Sequence, residues 1–206
     1  MYIKMRLRFF MVFVVFLAIF ALSGISFASE FSADLIMKGS AMSGKGKVWV
    51  KGQKMRQEFG GQMGGIITIM DLDKGFSWVL MPANKSYIKS KTNTKGKGFS
   101  PDNFVGMQQG QMAAQVKRVG TETVDGYKCD KYLITYKNKQ MGSMTQWFAK
   151  KLNYPIKMIN KNSMAGDFTS QLENIKKGNV KDSLFKLPSG YKEMKQPQIP
   201  GMPVKE

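Results

Sequence analysis

The chain is 206 residues long, has 32 Lys and Arg against 14 Asp and Glu, and contains no histidine and a single cysteine. That inventory excludes an intramolecular disulfide and the His- and Cys-built zinc and copper sites. Its formal charge of +18 points to anionic partners.

Residues 1–28 have the layout of a secretory signal peptide. A basic start, "MYIKMRLR", precedes the apolar run "FFMVFVVFLAIFAL", and small residues Ser26 and Ala28 close it. The run is shorter than the roughly 20 apolar residues a membrane-spanning helix needs. Cleavage is expected after Ala28, releasing a periplasmic protein with no cysteine at the new terminus to carry a lipid. Lys4, Arg6 and Arg8 leave with the signal, which lowers the charge from +18 to +15. Export makes nucleic acid the least suitable of the anionic partners, and none is expected.

The next segment, 29–195, reads as one domain with a single core. Short runs with two-residue periodicity are separated by Gly, Asn, Asp and Lys turns, the pattern of a meandering antiparallel sheet. Strands are expected at 31–39, 47–52, 54–59, 65–72, 76–82 and 85–90. A second set is expected at 116–124, 127–137, 144–151, 156–162 and 167–178. The linkers "DKG" and "ANK" and the turn "DG" at 125–126 are of hairpin length. Between the two sets the rhythm breaks. Ser100 can cap a helix, Pro101 suits its first position and Asp102 its first turn, and Phe104, Met107 and Met112 can share one stripe. Gly106 and Gly110 each weaken that helix by about 1 kcal/mol relative to alanine, so a short, loosely seated helix is expected. The end, 196–206, contains three prolines in "QPQIPGMPVKE" and reads as a disordered tail.

The residues available for catalysis are few. Ser86 and Lys89 have the spacing of a serine–lysine dyad, but three residues apart on a strand they point to opposite faces. Asp71 and Asp73 could chelate calcium with Asp102 or Asp130, yet carboxylates beside "KG" are turn formers far more often. "NKS" at Asn84 fits a glycosylation acceptor only in a host that glycosylates. Met141 and Met144 stand too alone for a copper site. Cys129, on a strand, reads as a small buried hydrophobe, with a Cys129-linked dimer as the alternative to a monomer. No metal, no cofactor and no enzymatic activity are expected.

Four motifs in order carry a resemblance: "GKVWVKGQKMRQEF", "LDKGFSWVLMPANKSY" with Trp78 and Pro82, "MTQWFAKKLNYPIKM" with Trp147 and Pro155, and "DSLFKLPSGYKEM". The chain resembles the LolA/LolB-like periplasmic lipoprotein-carrier superfamily over nearly all of residues 31–195. It looks most like members of unassigned function, in which "GYKCDKY" is typical. The resemblance implies a mainly β (α+β) fold: an unclosed, strongly curved antiparallel β-barrel or sheet, with a short helical lid across its concave face and acyl chains held between them. Residues 91–116 would supply the lid and "LFKLPSGYKEM" the last strand. Two features depart from the family: Gly52 stands where carriers place a lid-latching arginine, and no long helix precedes Phe31.

On a strand successive side chains alternate faces, so Val48 and Val50 point one way while Lys47, Trp49 and Lys51 point the other. The expected cavity lining is Val48, Val50, Met55, Phe59, Ile67, Ile69, Trp78 and Leu80, covered by Phe104, Met107 and Met112. Lys51, Lys54 and Arg56 are expected at a cationic rim. The function implied is an exported, non-enzymatic carrier or sensor for the acyl chains of an anionic lipid, lipoprotein or glycolipid, with transient contact to a membrane surface. The alternative is a cationic periplasmic adhesion module that grips anionic polymer or membrane without an acyl cavity.

Overall fold

Among the described residues, twelve strands realise the two-residue periodicity. The computed structural model describes residues 29–40, 43–60, 65–92, 98–103, 114–162 and 166–194. The expected signal peptide, the lid residues Phe104, Met107 and Met112, and the Pro-rich tail lie outside these. The strands are β1 (Glu30–Gly39), β2 (Gly44–Lys51), β3 (Lys54–Phe59), β4 (Ile66–Asp71), β5 (Phe76–Met81) and β6 (Ser86–Lys91), then β7 (Ala114–Val124), β8 (Tyr127–Tyr136), β9 (Ser143–Ala149), β10 (Tyr154–Lys161), β11 (Phe168–Lys177) and β12 (Lys192–Glu193). Among the described residues no helix is long and apolar enough to cross a membrane.

All twelve belong to one sheet, ordered β12-β6-β5-β4-β3-β2-β1-β11-β10-β9-β8-β7. Two meanders, β1 to β6 and β7 to β11, are thus joined by pairing their first and last strands, and β7 and β12 remain as edges. Every pairing is antiparallel except the short β12 on β6. That exception differs from expectation: "LFKLPSGYKEM" begins within a 3-10 turn at Asp182–Phe185 and supplies only two residues of strand. The turn chemistry follows the sequence. Asp125 and Gly126 both have positive φ, 46° and 76°, which a tight two-residue hairpin requires. Pro155 lacks a donor for the ladder, and it sits where the β9–β10 register slips between Pro155 and Lys157.

The sheet is strongly curved. β4 and β10 are five strand positions apart in the sheet order, about 24 Å if the sheet were flat. Their side chains nevertheless line one cavity: Thr68 and Met70 from β4, Tyr154, Pro155, Ile156 and Met158 from β10. The main core fills the concave side, with Phe31, Leu35, Val48, Val50 and Leu172 all buried.

Candidate functional site

The register assigns faces strand by strand. Phe31 lies opposite Val50, Val50 opposite Met55, and Met55 opposite Met70. In the next row Val48 faces Gln57 and Gln57 faces Thr68; beyond it Phe59 faces Ile66. This is the concave surface. It encloses a cavity of about 300 Å³, walled on one side by Val48, Met55, Gln57 and Met70 and on the other by Ile156, Met158 and Leu172.

The cavity has an aromatic floor. Phe99 and Phe31 both pack on Tyr154, with ring centroids 5.1 and 5.6 Å away, and burial pushes the Tyr154 phenol upward in pKa. Phe99 reaches the floor from the segment leading into the helical residues 101–103. In the opposite direction burial falls off along neighbouring strands. Leu35 and Met55 are buried, Met37 and Phe59 partly so, and Ile66 is 45% exposed. Among the described residues the hollow is therefore least covered toward the end of the strands bearing Met37, Phe59 and Ile66.

Of the expected lining, Val48, Val50, Met55 and Phe59 share the concave face. Ile67, Ile69, Trp78 and Leu80 do not join them: Ile69 pairs with Arg56 and Trp78, and Ile67 with Glu58 and Leu80, all on the convex side. There Ile69 and Leu80 form a second buried cluster with Val180 and Phe185, packed by Trp49, Ile67, Trp78 and Leu184. The residues after β11 thus cross the convex face as a strap. Both faces of β4 carry apolar residues, Ile66 and Met70 toward the cavity and Ile67 and Ile69 toward the strap, so hydrophobicity alone picked the wrong parity.

The expected rim cations have the same correction. Arg56 is 8% exposed; its Nη1 donates to the Leu184 carbonyl at 3.0 Å and its Nε to Glu58 at 2.7 Å. Lys51 Nζ donates to the Val180 carbonyl and to Asp182, each at 3.2 Å. Both side chains pin the strap. Lys54 lies on this same side, between Lys51 and Asp71 in register. Gly52, at the position where carriers have arginine, has φ 59° in the β2–β3 turn, a conformation that glycine adopts without a Cβ penalty.

Three of the residues weighed for chemistry, Asp71, Asp130 and Cys129, are in structural roles. Asp71 accepts from the Lys74 backbone N–H at 3.0 Å within a turn. Asp130 is held between Arg118 at 2.8 Å and Lys150 at 2.7 Å, which lower its pKa to about 2. The Trp147 indole donates to Glu122 at 2.8 Å, and Lys131 and Lys157 lie over its ring at 4.8 Å each. Cys129 is fully buried in the core, which closes the route to a Cys129-linked dimer of the folded chain. Sequence reasoning missed Leu35, Met37, Phe99, Met158 and Leu172; strand alternation marks all but Phe99 as one-sided apolar positions.

Among solved structures, an uncharacterized conserved protein from Thermus thermophilus aligns with TM-score 0.53 and 12% identity over 82% of this chain and 91% of that one. The Pseudomonas aeruginosa MucA/MucB complex aligns with TM-score 0.50 and 11% identity over 77% of this chain and 56% of that one. These likenesses concern the fold. The neighbours also include the LolA superfamily protein NE2245 from Nitrosomonas europaea, at TM-score 0.37 and 12% identity over 77% of this chain and 90% of that one. No curated protein sequence matches. A family model described as a domain of unknown function, DUF4412, matches residues 31–154 and 142–191 in overlapping segments, and the chain belongs to that family.

Proposed function

We propose that the protein is an exported, non-enzymatic carrier or sensor that shelters acyl chains of an anionic lipid, lipoprotein or glycolipid in the hollow of its curved sheet. The observation that carries this is the cavity of about 300 Å³, at the lower end of the range for ligand pockets. Its walls are aliphatic and Met-rich, and the thioethers of Met37, Met55, Met70 and Met158 adapt to chains of varying length and position. The floor is formed by aromatic rings, so a chain entering past Ile66 and Phe59 meets Phe99 and Tyr154 at its far end. Each methylene removed from water there contributes about 0.8 kcal/mol, with ordering costs subtracted.

Gln57 lines the cavity from β3 and is only half-buried. A Gln57→Trp variant should fill the hollow while leaving the core residues in place. Uptake of a fluorescent fatty acid by the parent protein, and its loss in the variant at unchanged melting temperature, are the expected results. Equal uptake by both proteins would place the binding elsewhere, and no uptake by either would end the carrier reading.

A further inference from the structure

Beside the cavity, the concave face of β9 and β10 buries two side-chain amides whose oxygens lack donors. Gln146 is 0% exposed and Asn160 5% exposed, and among the described residues neither Gln146 Oε1 nor Asn160 Oδ1 has a hydrogen-bond donor. In a native protein nearly every buried polar atom is partnered, because leaving one unpaired forfeits its hydration with no return. The register puts both next to the cavity wall. Gln146 lies opposite Met158, which lies opposite Ser170; Asn160 lies opposite Phe168. Met158, Ser170 and Phe168 all line the cavity. The Gln146 amide nitrogen donates to the Met158 sulfur at 3.8 Å, a weak acceptor on a side chain with three rotatable bonds. Met158 therefore stands between the Gln146 amide and the hollow. One strand further along the same face, the buried Tyr136 hydroxyl is likewise without a partner among the described residues.

Resting on the acyl-binding reading above, we infer that Gln146 and Asn160 form a polar subsite directly behind the cavity wall, opened when an entering chain displaces Met158, that receives an N–H or O–H donor at the junction between acyl chain and head, so that amide-linked chains are favoured over ester-linked ones. An unpaired acceptor discriminates strongly against an analogue that lacks the donor, whereas the apolar walls are indifferent to the linkage.

The test is competition against a bound fluorescent fatty acid by N-palmitoylglycine and by its ester counterpart, palmitoyl glycolate. The two have the same chain and the same charge and differ in N–H against O. The amide should displace the probe about tenfold more effectively, the effect of one buried acceptor gaining its donor. In Gln146→Met, which keeps the shape and removes the oxygen, the preference should shrink to about threefold or less. Equal competition in the unaltered protein overturns the inference and leaves the carrier reading standing. Failure of the probe itself to bind overturns both. The ligand pair decides the matter even if the variant does not fold.

Discussion

Asp130 shows how single residues in this protein serve the fold. On β8, it joins Arg118 of the edge strand β7 to Lys150 beyond β9, and those partners lower its pKa to about 2 from about 3.9 in an unfolded chain. A depressed carboxylate pKa stabilises the fold at pH above the unfolded value and loses that contribution as pH falls through the folded value. Asp130→Asn should therefore lower the melting temperature at neutral pH, and its gap to the parent should close between about pH 4 and pH 2. Thermal melts across that range check it; a gap unchanged at pH 2 would show that the loss comes from something other than the charge. Cys129, two strands from Tyr154 in the same core, is held in its thiol form because burial pushes its pKa up.

At the scale of elements, the segment after β11 is the feature the strand pattern concealed. Its anchors are spread along its length: Val180 N–H donates to Glu30 at 2.8 Å, Arg56 holds the Leu184 carbonyl, and the Tyr87 hydroxyl donates to Glu193 at 2.9 Å. Phe185, 7% exposed, supplies its largest buried ring. Truncating it should leave a void between β4 and the strap, and Phe185→Ala should destabilise by about 3 kcal/mol, measured by urea unfolding. A change below about 0.5 kcal/mol would mean that the strap is only draped over the sheet. The strap also explains why Trp49, Trp78 and Ile69, each strongly apolar, lie outside the cavity: they are its seat.

For the whole molecule, charge and cavity are separable. The chain is strongly basic by composition, and surface cations attract anionic membranes from a distance, but that attraction is screened once the Debye length falls to about 3 Å near 1 M salt. Acyl burial involves no net charge and is not weakened by screening. Adhesion of the protein to anionic vesicles should thus disappear by about 1 M sodium chloride, while fluorescent fatty-acid uptake persists. If both vanish together, the cationic adhesion module becomes the better account. The curvature that makes the cavity is a property of all twelve strands: no local stretch encodes the distance between β4 and β10, which follows from accumulated twist and from bulges such as that at Pro155.

The sequence by itself determined the succession of strands, the hairpin turns and the burial of Cys129, because alternation, Asp-Gly turns and β-branched runs act over a few residues. Val48, Val50, Met55 and Phe59 on one face were legible because β2 and β3 are joined by a tight turn that fixes their relative register. The tertiary structure alone decided the parity of β4 and β5 and the role of Arg56 and Lys51. An element with apolar residues on both sides has no polar face to reveal its orientation, and the strap that covers its outer side comes from more than 100 residues away in the chain.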